Sequence, residues 1–148
     1  MRFVDRKETV MLVMGSAATA QERDRPIALA LKREIDGRGD CHHYRRALLV
    51  GDSQYLDCPE LHGHPTIAIG GPGVNAVVQQ YAPELPTVWQ VEERAFVQAE
   101  LDDTTQKRVA LWGMDAGSTA QAVDAFIAQG FLDALLQRIW VIRPEFET

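Results

Sequence analysis

The sequence predicts a three-layer α/β domain whose sheet is mostly parallel and carries one antiparallel hairpin. Four short apolar runs, each closed by glycine, are typical of strands covered on both faces: "ETVMLVMG" to Gly15, "RRALLVG" to Gly51, "TIAIGG" to Gly70 and "KRVALWG" to Gly113. Helical patterns separate most of these runs, as parallel pairing requires. The predicted arrangement is Rossmann-like, and the 148 residues fit a single domain spanning 1–148.

Three segments carry helix signals. In "DRPIALALKREIDG", Asp24 is placed to cap the helix and Gly37 to end it. The apolar positions of that helix are spaced four residues apart, at Ile27, Leu31 and Ile35. A second apolar stripe follows "IAIGGPG" and stops near Pro83. In the third helix, after "VALWGMDAG", Ser118 is the predicted cap and Gly130 the end.

The segment from Thr87 to Gly113 has a different pattern. The runs "TVWQVEE", "RAFVQAEL" and "KRVALWG" follow one another closely, with "DDTTQ" between the last two. Such spacing predicts strands joined by a hairpin beside the parallel sheet. The final "RIWVIRPE" fits either an edge strand or the end of a helix.

Composition excludes several classes of partner. A formal net charge of -6 repels phosphodiester backbones, so we expect no nucleic-acid partner. The apolar run near the amino terminus is too short for a membrane span and has no secretory cleavage pattern, which predicts no membrane partner and a cytoplasmic protein. In that compartment both cysteines are expected to be thiols or ligands. The apolar hairpin edge favours a homo-oligomer.

The carboxyl ends of parallel strands are where α/β sheets usually bind ligands. The turns after the four predicted strands carry small polar residues and glycines, which gather on one edge if the strands are parallel. The candidate ligand-binding residues are Gly15, Ser16, Asp52, Ser53, Gly70, Gly71, Gly73, Asn75, Asp115 and Thr119. A small molecule is therefore the expected partner.

The turn "GGPGVN" has two interpretations. Free N–H groups at a helix start, approached closely through glycine, bind anions. However, the turn is neither a dinucleotide fingerprint nor a phosphate loop with its lysine, and its proline removes one donor. A structural turn explains the same glycines, and Asn75 then caps its own helix.

The stretch "LLVGDSQYLD" resembles the Gly-Asp-Ser turn of certain serine esterases. That resemblance implies a small hydrolase in which Ser53 is the nucleophile, beside Asp52. Such chemistry needs a histidine base, which in that family lies near the carboxyl terminus. Here no histidine follows residue 64, and whether the protein is an enzyme stays open.

All cysteines and histidines fall in "CHHY" and "CPELHGH", between residues 41 and 64. Their spacing permits a structural zinc site built from Cys41, Cys58, His62 and His64. The parallel pairing of the strands that follow would bring the two groups to one edge, opposite the glycine turns. The alternative is that these are ordinary loop residues near strand entries, and the cofactor is otherwise unknown.

The turns "GGPGVN" and "GMDAGSTAQA" together resemble α/β domains of archaeal surface-layer-type proteins, which carry GGPxxN and GxDAxxT turns. The resemblance covers residues 66–128. It implies neighbouring strand ends fixed by Asn75 and by Asp115 or Thr119, and no activity. The function expected from the sequence is binding of a small ligand, including an anionic one, at the glycine turns, or self-association as a scaffold.

Overall fold

A computed structural model describes residues 8–102 and 106–140. It contains six strands, five α-helices and a short 3₁₀ helix. In chain order these are β1 (Val10–Met14), α1 (Ala18–Gly39), β2 (Ala47–Gly51), α2 (Asp52–Asp57), the 3₁₀ helix (Pro59–Gly63), β3 (Thr66–Ile69), α3 (Ala76–Tyr81), β4 (Thr87–Val91), β5 (Ala95–Glu100), β6 (Arg108–Gly113), α4 (Ala116–Ala128) and α5 (Phe131–Ile139).

The strands form one mixed sheet in the order β2-β1-β3-β6-β5-β4. The pairs β1 with β2, β1 with β3, and β3 with β6 are parallel. Strand β5 is antiparallel to both β6 and β4. The predicted α/β class, the parallel core and the antiparallel hairpin are thus confirmed.

Helices cover both faces of the parallel strands. On one face, α1, α4 and α5 pack their apolar side chains, such as Leu31, Phe126 and Leu135, against β1, β3 and β6. On the other face, α2 and α3 pack against the same strands through side chains such as Tyr55 and Val77. Within the described part of the chain, no helix has the length and apolar character needed to cross a membrane.

Helix α1 begins earlier than the sequence predicted. Asp24 does not cap it, because the helix already starts at Ala18 and Asp24 lies in its second turn. The preceding residues, "ATAQER", are mostly good helix formers and extend the helix past the expected boundary. Asp24 is instead buried on the face of α1 that packs on the sheet.

Helix α4 is capped by Asp115 instead of the predicted Ser118. The Asp115 carboxylate accepts a hydrogen bond from the Ser118 N–H at 2.7 Å, so the cap lies three residues before the predicted one. Gly130, with a φ of 85°, ends this segment and admits α5. Of "RIWVIRPE", the first two residues complete α5, and residues 141–148 lie outside the described chain.

The turn after β1 and the β3–α3 turn approach each other so closely that only glycine fits at Gly15. A Cβ added there would lie 2.1 Å from the Val74 carbonyl oxygen, whereas a Cβ added at Gly73 would meet no atom within 4 Å. We predict that Gly15→Ala destabilises the protein by about 1–3 kcal/mol, because the backbone of the β3–α3 turn must move. Gly73→Ala is the matched control and should stay within about 1 kcal/mol of the parent. Urea unfolding measures both, and equal stability of the two variants would contradict this prediction.

Candidate functional site

The four parallel strands direct their carboxyl ends to one edge of the sheet. The turns that leave this edge are residues 15–17 after β1, the start of α2 after β2, residues 70–75 after β3 and residues 114–115 after β6. All ten predicted ligand-binding residues lie in these turns or in the first turn of the following helix. Some of them are hydrogen-bonded within the protein and hold the turns together, and others line a cleft.

The Asp52 side chain joins three of these turns. Its Oδ1 accepts hydrogen bonds from the Ser16 N–H at 2.9 Å, the Ser16 hydroxyl at 2.6 Å and the Ser53 N–H at 2.8 Å. Its Oδ2 accepts one from the Ala76 N–H at 2.8 Å. Burial alone would raise the pKa of Asp52, but the hydrogen bonds from Ala76, Ser16 and Ser53 together bring it below its usual value.

Asn75 is equally occupied. Its amide nitrogen donates to the Val13 and Ile69 carbonyl oxygens at 3.0 and 2.8 Å, and these are residues of β1 and β3. Its amide oxygen accepts from the Val77 and Val78 N–H groups at the start of α3. All four hydrogen-bonding positions of this buried side chain are therefore used by the protein.

These bonds bear on the two interpretations of "GGPGVN" at the start of α3. An anion at the start of α3 would need the first N–H groups of that helix. Those of Ala76, Val77 and Val78 already donate to Asp52 and Asn75. The geometry favours the structural interpretation for the helix start, and it leaves the outer part of the turn, Gly71 to Val74, facing solvent.

A cleft of about 440 Å³ opens beside that outer part of the turn, over the carboxyl ends of β3 and β6. Its walls come from α1, from the β3–α3 turn, and from the end of β6 with the start of α4. The lining residues are Arg23, Asp24, Gly71, Pro72, Gly73, Val74, Trp112, Gly113, Met114, Asp115 and Thr119. Four predicted site residues, Gly71, Gly73, Asp115 and Thr119, belong to it, and the other six do not.

Asp24 is the buried acid of this cleft, with only 3% of its surface exposed. Its side chain forms no hydrogen bond with any described residue, and a Cβ on Gly70 would lie 2.7 Å from its Oδ2. Burial raises the pKa of Asp24, and the charge of Arg23 offsets part of that increase. A buried carboxyl with a raised pKa in a cleft is a functional-site signal.

Sequence reasoning missed Asp24 as a site residue, although a signal was present. The residue shares a helical stripe with Ala20, Ala28, Leu31 and Ile35, all of which are buried. Burying an acid in such an apolar stripe is energetically unfavourable unless the acid has a partner. Because Asp24 was interpreted as a helix cap, its position in this buried stripe was overlooked.

The remaining charges of the cleft differ in their pairing. Asp115 accepts from the Ser118 N–H and forms an ion pair with Arg94 at 3.1 Å, and these contacts lower its pKa. Arg23 is exposed and forms no hydrogen bond or ion pair with another described residue. The cleft therefore has one satisfied carboxylate, Asp115, and one adjacent pair, Arg23 and Asp24, without hydrogen-bonding partners.

The mouth of the cleft is largely apolar. Trp112 is half-buried, stacks on Phe96 with ring centroids 4.2 Å apart, and donates its indole N–H to Gln98. Met114 is 65% exposed, an unusual exposure for a large apolar side chain. Together with Pro72 and Val74, these residues make the lining of the cleft largely apolar.

No histidine base is placed at Ser53 in the described chain. The Ser53 N–H donates to Asp52 and to the Ser16 hydroxyl, whose own hydrogen goes to Asp52. The histidines that follow Ser53 are bonded elsewhere, since His62 lies 2.8 Å from the Tyr55 carbonyl oxygen and His64 lies 3.1 Å from that of Thr9. This geometry gives the hydrolase interpretation no support.

The cysteines and histidines lie toward the opposite edge of the sheet from the cleft. In residues 8–102 and 106–140, no group of three or more His, Cys, Asp or Glu side chains is arranged to hold a metal ion. Cys41 is exposed, Cys58 is partly buried, and both are free thiols. The zinc prediction for Cys41, Cys58, His62 and His64 thus gains no support from the described residues.

No protein-family model matches the chain, and no curated protein matches it. The resemblance to archaeal surface-layer-type domains therefore rests on the two turn motifs alone. Function has to be argued from the geometry of the cleft and of the turns that form it.

We predict that Asp52→Asn destabilises the protein by about 2–4 kcal/mol at pH 7, because an amide cannot accept all four hydrogen bonds. The pKa of Asp52 is lowered by folding, so its contribution is complete above the unfolded value of about 3.9 and is lost as pH falls through the folded value. The stability difference between parent and variant should therefore shrink below about pH 4. Urea unfolding at several pH values measures it. The exposed Asp124→Asn is the control, and a pH-independent difference would refute the assignment.

Proposed function

We propose that this protein binds a small molecule in the cleft over the carboxyl ends of β3 and β6. The observation that carries the proposal is Asp24, a buried acid that lines the cleft without a hydrogen bond from the described chain. A volume of about 440 Å³ lies within the usual range of ligand sites, which runs from roughly 300 to 1,000 Å³. An apolar mouth above a few polar groups is also typical of such sites.

The position in the fold supports the same proposal. Helix α3 follows β3 onto one face of the sheet, whereas α4 follows the neighbouring β6 onto the other. Adjacent strands whose connections diverge in this way leave a crevice where α/β proteins bind ligands. We propose a Rossmann-like classification on this basis, supported by the parallel order β2-β1-β3-β6.

We also propose that the ligand carries an anionic group, which binds at a different place from the helix start that the sequence predicted. The N–H groups at the start of α3 are occupied, but those of Gly71 and Gly73 donate to no described residue. These glycines and Arg23 line the cleft. An anion is therefore expected at the outer part of the β3–α3 turn, beside Arg23.

A thermal-shift screen of nucleotides, phosphorylated metabolites, organic acids, amines and amino acids tests this function. A ligand present at a hundred times its dissociation constant should stabilise the fold by about 2.7 kcal/mol, or roughly 5–10 °C in melting temperature. Gly73→Trp, which adds a bulky side chain at an unobstructed wall of the cleft, should abolish the shift. Gly37→Trp adds the same bulk near the far end of α1 and should leave the shift intact. Shifts that survive Gly73→Trp would place binding elsewhere.

A second function, self-association, is favoured by a difference between the two edges of the sheet. At the β2 edge, the Ala47 N–H donates to Asp36 and the Ala47 carbonyl accepts from Lys32, at 2.9 and 2.8 Å. At the β4 edge, the strand pairs with β5 alone among described strands, carries no charged residue, and exposes 43% of Val88. We propose that β4 pairs with β4 of a second copy.

Val88→Lys should convert such a dimer to a monomer, because an edge lysine blocks pairing between strands. Sedimentation velocity at several concentrations measures the effect. Met114→Lys, which charges another large apolar residue that is exposed in the described chain, is the control and should remain dimeric. A monomeric parent protein at high concentration would exclude this mode of association.

A further inference from the structure

The chemistry of the cleft narrows the class of ligand, an inference that rests on the proposed function. Asp24 is only 3% exposed and receives no hydrogen bond from the described residues. A carboxylate in this position is costly unless a donor approaches it, and a positively charged donor compensates it best. The bound molecule is therefore expected to present a donor, and preferably a cation, to Asp24.

Arg23 is a cation that an anionic group of the ligand can contact. It precedes Asp24 in α1, lines the same cleft and makes no ion pair or hydrogen bond with another described residue. The other arginine near the cleft, Arg94, is already paired with Asp115 at 3.1 Å. One cationic and one acidic side chain thus remain for the ligand, next to each other in the chain.

The apolar lining of the cleft indicates what the rest of the ligand should be. Beyond the two charged groups, Pro72, Val74, the Trp112 ring and the exposed Met114 provide contact surface. A ligand made only of charged groups would leave this surface in contact with water, and a purely apolar ligand would offer no donor to the buried Asp24 carboxylate. A molecule with a cationic group, an anionic group and an apolar substituent satisfies all three parts.

We propose that the cleft binds a small zwitterion of the amino-acid type, with its ammonium group on Asp24, its carboxylate at Arg23 and its apolar substituent against Trp112 and Met114. The unoccupied N–H groups of Gly71 and Gly73 provide further donors for the carboxylate. Within this class, the aliphatic and aromatic amino acids fit the apolar mouth best.

Titration calorimetry with free amino acids tests the proposal, using each amino acid beside its decarboxylated amine and its deaminated acid. We expect at least one apolar amino acid to bind at least tenfold more tightly than both derivatives. Asp24→Asn should weaken the amino acid at least tenfold without weakening the deaminated acid. Arg23→Gln should weaken the amino acid and leave the amine unaffected. The exposed Arg25→Gln, two residues along α1, is the matched control and should change neither.

The outcomes separate this inference from the function on which it rests. If an amine or acid binds as tightly as the amino acid, or if Asp24→Asn leaves amino-acid affinity unchanged, the zwitterion assignment fails. If another compound gives a shift that Gly73→Trp abolishes while all amino acids fail, the cleft binds ligands but the zwitterion assignment is wrong. If no compound gives such a shift, both are wrong. Circular dichroism of Asp24→Asn confirms that lost binding does not reflect unfolding.

Discussion

The arrangement of the carboxyl edge depends on the Asp52 carboxylate. Three segments that are distant in sequence donate to it: Ser16 after β1, Ser53 after β2 and Ala76 after β3. A single anion thus fixes the spacing of three turns, and charge-assisted hydrogen bonds of this kind are stronger than neutral ones. The cost of burying the charge is offset because four donors surround it. Together with the hydrogen bonds of Asn75 to Val13 and Ile69, this anchor holds the β3–α3 turn that forms one wall of the cleft.

The polar residues of this edge differ in whether their hydrogen-bonding groups are already used within the protein. Asp52 and Asn75 use their acceptors and donors within the protein, so they position turns and have little left for a ligand. Arg23 and Asp24 have no such bonds with described residues, and both line the cleft. The Asp24 carboxyl therefore remains available to a hydrogen-bond donor on the proposed ligand.

Much of the fold could be predicted from apolar runs and their glycine ends, because short continuous apolar runs indicate strands that are buried on both faces. The hairpin was equally accessible, since three closely spaced apolar runs leave no room for intervening helices. Cap assignment was less secure. Asp115 and Ser118 are both good capping residues, three positions apart, and only the backbone geometry shows which one accepts the hydrogen bond. Helix α2 buries only Asp52 and Tyr55 and the 3₁₀ helix buries no residue, so neither has an apolar stripe that the sequence could show.

The site was harder to predict than the fold because its chemistry depends on which donors surround a side chain. Asp24 and Asp52 are the same residue type, both buried on one side of the domain, yet folding moves their pKa values in opposite directions. Asp52 has donors, so its ionised form stabilises the fold above about pH 4 and that contribution is lost in acid. Asp24 lacks them, so it penalises folding: the penalty is absent below the unfolded pKa, grows as pH rises above that value, and is complete above the raised folded pKa. A ligand cation would supply the missing donor and remove the penalty, so binding and stability should be linked through this one carboxyl.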